Sequence, residues 1–134
     1  MRRYRASSSG FIAPLRYSHK PRTNAACMIE FGHLTHVGLR RELNEDTYYG
    51  DSELGLWLVA DGMGGHEYGE VAAAMAREII VNQVRAGSDL SHAIKVADEE
   101  IIRCSKRRGD SLPMGTTVVA ARVYGNRFEV AWVG

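Results

Sequence analysis

The sequence predicts an α+β fold, in which antiparallel strands and helices form separate layers. Two observations predict it: strand-like runs stand near both ends of the chain, and two helix-like runs lie between them. A doubly wound parallel sheet would need strict alternation of strands and helices, which is missing here. With 134 residues the chain is one domain at most.

The N-terminal residues 1–27 are predicted to form a disordered basic extension. They lack periodicity, contain two prolines and a serine run, and carry basic but no acidic side chains. This composition is also typical of an organelle transit peptide. We favour an upstream extension, with translation normally starting at Met28, so that the folded domain spans residues 28–134.

Composition limits the partners to be expected. The whole chain is 45% apolar and 25% charged, with a formal net charge of +1. Beyond residue 29 it holds eleven basic and sixteen acidic side chains, so nucleic acid is not an expected partner. No apolar run approaches the roughly 18–20 residues of a membrane span, so no membrane association is expected. Because Cys27 and Cys104 lack metal-ligand spacing, a reduced cytoplasmic protein is expected.

The folded part is predicted to begin with strands. Residues 29–38, IEFGHLTHVG, are expected to form the first strand, followed by the polar, non-periodic stretch 40–46, RRELNED. Residues 47–60 predict a hairpin with its turn around Asp51–Gly55.

Two helices and a second hairpin are predicted next. Apolar residues at helical spacing define the first helix: Ala72, Met75, Ala76, Ile79 and Ile80. The second helix begins near Asp89, and its apolar face comprises Leu90, Ala93, Ile94, Ala97, Ile101 and Cys104. Ser88–Asp89 can cap its start, and the basic residues 106–108 suit its C-terminal dipole. Residues 115–134 then predict two strands joined at Gly125–Asn126.

The glycine-rich stretch WLVADGMGGHEYGE, residues 57–70, suggests a phosphate-binding loop, but its spacing does not match one. A dinucleotide-binding turn would need glycine where Glu67 stands, and a P-loop would need lysine where Glu70 follows Gly69. A metal site fits better, because Asp61 ends an apolar run and the Gly62 carbonyl could approach an ion closely. A turn that binds nothing is the alternative.

A second polar cluster precedes the first hairpin. Arg41, Glu45 and Asp46 stand close together there and could share one site with Asp61. The guanidinium would bind phosphoryl oxygens bidentately, and the acids would hold metal-bound waters. Alternatively, these residues are solvated surface charges that contribute little.

Both clusters together resemble the metal-dependent protein phosphatase family (protein phosphatase 2C, PPM-type). The matching residues are Thr35, Gly38, Arg41, Asn44, Glu45 and Asp46, then Asp61–Gly65 (DGMGG), the Gly115–Thr117 segment and AWVG at residues 131–134. The resemblance runs from about Met28 to Gly134, and DGMGG is the form typical of bacterial members.

The resemblance implies a four-layer α/β/β/α sandwich that hydrolyses phosphoserine and phosphothreonine in proteins with two Mg²⁺ or Mn²⁺ ions. Asp61 would bridge both ions and the Gly62 carbonyl would bind one. Glu45 and Asp46 would orient metal-bound waters, and Arg41 would bind the substrate phosphate. Phosphorylated proteins are the implied partners, with a cognate serine/threonine kinase expected from the family.

Two departures from the family pattern affect these expectations. Met63 replaces the histidine that serves as general acid in many animal and plant members, and methionine cannot donate a proton. The family's later metal-binding aspartates would follow the strand that ends at Gly134, so we expect a truncated domain with weak or no activity. The alternative is a non-catalytic pseudophosphatase module that binds a phosphoprotein or a kinase.

Overall fold

The structure is a computed structural model that describes residues 29–64, 68–108 and 113–134. The predicted disordered extension, residues 1–27, lies outside the described residues, as do Gly65 and His66. Within the described ranges, neither helix is both long and apolar enough to cross a membrane.

Four strands and two helices make up the described fold. In chain order they are β1 (Asp46–Asp51), β2 (Leu56–Met63), α1 (Tyr68–Arg85), α2 (Leu90–Arg108), β3 (Gly115–Tyr124) and β4 (Arg127–Val133). The strands form one antiparallel sheet in the order β1-β2-β3-β4. The predicted α+β class is confirmed, and the described residues form two layers of it, one sheet and one pair of helices.

Both helices pack on the same face of the sheet. Along β2 the buried residues Leu56, Leu58 and Ala60 alternate with more exposed ones, as expected for a strand with one covered face. Val118 and Ala120 of β3 extend this face. The fully buried helix residues that pack against it are Ala72, Ala76, Ile80, Leu90 and Ala93. The core therefore lies between the sheet and the helices.

The predicted helix stripes are confirmed. Ala72, Ala76 and Ile80 are buried in α1, and Met75 and Ile79 pack against the core. In α2 the buried members are Leu90, Ala93, Ala97 and Ile101, with Ile94 and Cys104 partly buried beside them.

Two side-chain carboxylates accept backbone N–H groups at the start of α2. Asp89 acts as the predicted cap, because the amide N–H of His92 donates to its Oδ1 at 2.7 Å. The second acceptor comes from β4, where Glu129 Oε1 accepts a bond from the amide N–H of Leu90 at 2.9 Å. The sequence pattern did not indicate this second bond, which ties the helix to the sheet.

Both predicted hairpins are confirmed. Gly125 adopts a φ of 58°, the left-handed conformation that a tight turn between β3 and β4 requires. In the turn between β1 and β2, Asp51 Oδ1 accepts the amide N–H groups of Glu53 and Leu54 at 2.9 and 3.0 Å.

The strand predicted over residues 29–38 is wrong. Glu30 makes an isolated bridge, and the rest of the segment forms no strand. Instead, its aromatic side chains pack on the sheet face opposite the helices. Phe31 lies against Gly50 and meets the Trp57 ring edge-on, with centroids 5.9 Å apart. His33 lies over Tyr48, with ring centroids 4.2 Å apart. The alternating pattern of residues 29–38 therefore reflects side chains that pack on the sheet, and not a strand hydrogen-bonded within it.

Candidate functional site

Two of the predicted acidic residues meet through the register of the sheet. Asp46 at the start of β1 is the Cα partner of Asp61 near the end of β2. Directly opposed residues of antiparallel strands point to the same face, with Cβ atoms about 4.5–5.5 Å apart. Like charges in such a pair repel each other, so a cation beside them would be stabilising.

Glu45 and Arg41 form an ion pair next to these aspartates. Arg41 Nη1 donates to Glu45 Oε2 at 2.8 Å, and the two side chains are 67% and 17% exposed, respectively. Together with the aspartates they line a polar recess of about 80 Å³, whose lining residues are Val37, Arg41, Leu43, Asn44, Glu45, Asp46 and Asp61. The recess thus brings together all four charged residues that the sequence predicts for the site.

Asn44 organises the loop that carries this charge. Its Nδ2 donates to Thr35 Oγ1 at 2.8 Å, and its Oδ1 accepts the amide N–H of Asp46 at 3.1 Å. Asn44 and Thr35 match the family motif, but no separate role was predicted for them from the sequence. An asparagine two residues before a backbone N–H is a known turn-forming pattern, which could have indicated the second bond.

The backbone of the Asp61–Gly62 pair is held from both sides. The amide N–H of the buried Gly62 donates to the Glu45 carbonyl oxygen at 3.0 Å. Thr116 Oγ1 donates to the Asp61 carbonyl oxygen, also at 3.0 Å. The end of β2 is therefore fixed between the Glu45 loop and β3. Metal binding by the Gly62 carbonyl stays a prediction.

The chemistry of the donors fits a hard divalent cation. All three acidic side chains offer carboxylate oxygens, the ligands that Mg²⁺ and related ions prefer. In the part of the chain that the structure describes, no three His, Cys, Asp or Glu side chains gather closely enough to form a metal-binding group by themselves. The recess can therefore supply some of the ligands of a divalent cation, and oxygens of water or of further protein groups would complete the set.

Met63 follows Gly62 on the strand and is 64% exposed. Its thioether has no proton to donate, so it cannot act as the general acid. A histidine could donate a proton in its place. His66 follows Met63 closely in the sequence but lies outside the described residues. His36 accepts the amide N–H of Gly38 on its Nδ1 at 2.9 Å.

The fold and sequence are similar to bacterial serine/threonine phosphatases. The chain is 33% identical over 103 residues to the serine/threonine protein phosphatase PstP of Mycobacterium tuberculosis. A solved catalytic domain of PstP, in complex with two manganese ions, superimposes with a TM-score of 0.66 at 30% identity. The PPM Ser-Thr phosphatase MsPP of Mycobacterium smegmatis, solved with cacodylate, gives a TM-score of 0.66 at 27% identity. No protein-family model matches the chain.

The chain belongs to the PPM-type protein phosphatase family. The similarity covers 72% of this chain and 20% of PstP. It covers 74% of this chain in both solved structures, and 45% and 43% of the PstP domain and of MsPP. The PPM-type chain thus spans less than half of each relative's length.

Proposed function

We propose that this PPM-type chain supplies metal- and phosphate-binding residues of a serine/threonine protein phosphatase. The observation that carries the proposal is the register of β1 and β2, which sets Asp46 opposite Asp61 beside the Arg41–Glu45 pair. Its substrates are proteins that carry phosphoserine or phosphothreonine, and a serine/threonine kinase is the partner class that produces them.

Each charged residue has a role in the proposal. Asp61 and the Gly62 carbonyl would hold Mg²⁺ or Mn²⁺, and Glu45 and Asp46 would orient the waters bound to the metal. When bound, such cations acidify water and polarise phosphoryl oxygens. The two manganese ions of the PstP catalytic domain support this assignment.

Arg41 orients the substrate in this proposal. Its guanidinium offers paired N–H donors that match two phosphoryl oxygens. In the structure one of its nitrogens is bonded to Glu45, and the side chain is 67% exposed. Because the Arg41 side chain is largely exposed, its remaining N–H donors are accessible to a phosphate.

The first test measures cation binding. We expect Mn²⁺ to bind the wild-type chain, and Asp61→Asn to weaken binding at least about tenfold, because an amide lacks the negative charge. Asp98→Asn, an exposed acid on α2, is the matched control and should leave the affinity unchanged. Titration followed by electron paramagnetic resonance gives both constants. Equal affinities for the wild type and Asp61→Asn would contradict the metal assignment.

The second test separates hydrolysis from binding alone. A phosphothreonine peptide should bind in the presence of Mn²⁺ more tightly than its unphosphorylated form, and Arg41→Ala should abolish that difference. Slow release of inorganic phosphate that depends on Asp61 would support the enzyme. Arg41-dependent binding without release would support the pseudophosphatase module, and the absence of both would count against each function.

A further inference from the structure

Two glycines face each other where β2 ends and α1 begins. Gly62 belongs to β2 and Gly69 to the first turn of α1, and both are buried. A Cβ atom placed on Gly62 would overlap the carbonyl oxygen of Gly69 and lie 3.0 Å from the carbonyl oxygen of Glu45. The backbones of the strand, the helix and the Glu45 loop are therefore in direct contact.

The space beside Gly69 is filled by the side chain of Glu45. A Cβ atom placed on Gly69 would overlap Glu45 Oε1, lie 2.8 Å from its Cδ and lie 3.0 Å from the carbonyl carbon of Gly62. The Glu45 carboxylate thus occupies the volume that any other residue at position 69 would use. Its second oxygen, Oε2, accepts the bond from Arg41 at 2.8 Å.

The neighbours of the two glycines differ in how easily they can move. A side chain at position 62 would meet backbone atoms, which cannot shift without moving the helix. A side chain at position 69 would first meet the end of the flexible Glu45 side chain. An alanine at position 69 would therefore displace the carboxylate before it disturbs the fold.

We propose that Gly69 is a positioning residue for Glu45. The absence of a side chain at Gly69 keeps the Glu45 carboxylate against the first turn of α1, where the helix dipole favours negative charge. Arg41 holds the same carboxylate from the other side. The inference rests on the proposed function in one respect, namely that Glu45 acts on a cation.

The test compares two glycine-to-alanine variants by Mn²⁺ titration. Gly69→Ala should raise the dissociation constant about 10–100-fold, the range typical for groups that orient metal-site residues. Gly115→Ala is the matched control, because a Cβ there would meet the flexible end of Met63 at 3.3 Å. It should change the constant less than about twofold. Equal effects of the two variants would overturn the proposal.

A double-mutant cycle distinguishes positioning from a general structural effect. If Gly69 acts through Glu45, Gly69→Ala should have no further effect on Mn²⁺ affinity in a Glu45→Ala background. Additive losses would overturn the proposal. Alanine is favoured over glycine within a helix, so Gly69→Ala should also remain folded in circular dichroism and urea unfolding. An unfolded Gly69→Ala would show that the Gly62 backbone contact dominates, which also overturns it.

A spectroscopic measurement keeps this proposal separate from the phosphatase proposal. If the wild-type chain binds no Mn²⁺, the proposed function fails while the positioning of Glu45 can still be measured without metal. The carboxyl carbon-13 resonance of Glu45 should shift in Gly69→Ala, because the contacts of its oxygens change, and stay in place in Gly115→Ala. An unchanged resonance in Gly69→Ala would overturn the positioning role whatever the metal result.

Discussion

The two faces of the sheet are formed by the same strands, yet they differ in burial and in the role of their residues. The helices cover one face, and the other face lies opposite them. On the covered face, Leu56 and Ala120 are fully buried. On the opposite face, Val119 is 51% exposed and Trp132 is 70% exposed. The described strands are therefore apolar on both sides, although the described helices bury only one side.

The acidic residues belong to the less buried face. Asp61 alternates with the buried Ala60 and shares its side of β2 with Val59, and Asp46 lies directly opposite Asp61. Exposed apolar patches on soluble proteins typically mark interaction surfaces. The covered face thus holds the fold together, while the opposite face combines the candidate site with surface available for further contacts.

Adjacent valines in β3 give the largest expected contrast between the faces. Val118 is 2% exposed and Val119 is 51% exposed. Val118→Ala should lower the free energy of unfolding by about 2 kcal/mol, because it removes buried methyl groups and leaves a cavity. Val119→Ala should cost no more than about 0.5 kcal/mol. Urea unfolding measures both, and similar losses would show that the Val119 side of the sheet is buried in solution.

Two phenylalanines test how far the segment before β1 covers the less buried face. Phe31 packs on Gly50 and Trp57, whereas Phe128 is 70% exposed on β4. Phe31→Ala should lower the free energy of unfolding by about 1 kcal/mol through the lost aromatic contact. Phe128→Ala should stay within about 0.5 kcal/mol. If Phe31→Ala costs no more than Phe128→Ala, the aromatic packing contributes nothing to stability.

The smallest effect concerns the polar edge of the covered face. The amide N–H of Leu54 and the Tyr49 hydroxyl donate to Asp51 and hold the pKa of its carboxyl below the usual range. The unfolded chain has the ordinary aspartate pKa of about 3.9. The ionised Asp51 therefore adds to the free energy of unfolding at pH values above the unfolded pKa. This contribution is lost as the pH falls through the lower pKa of the folded state.

Acid unfolding of an amide variant checks this expectation. At pH 7, Asp51→Asn should keep the wild-type fold but have a lower free energy of unfolding. Its free energy of unfolding should fall less than that of the wild type when the pH is lowered from about 5 to about 2. Urea unfolding at several pH values measures the difference. Identical pH dependence in the two proteins would show that Asp51 is not responsible.

Much of the fold could be predicted because it depends on local patterns. The helices followed from the spacing of residues such as Ala76 and Ala97, and the second hairpin from Gly125 and its neighbour. The segment 29–38 was predicted wrongly, because alternation of apolar residues does not say whether Phe31 packs beside a strand or on top of one. Only the partner surface decides between those arrangements.

The sequence by itself determined which residues could form a site. Carboxylates and a guanidinium in two non-periodic segments indicated metal and phosphate chemistry, since oxygen ligands and paired donors are what those groups bind. The tertiary structure decided how they are arranged. The register of β1 and β2 sets Asp46 against Asp61, and the packing of α1 on β2 places Gly69 beside Glu45. Such contacts join residues far apart in the chain, and no local pattern specifies them.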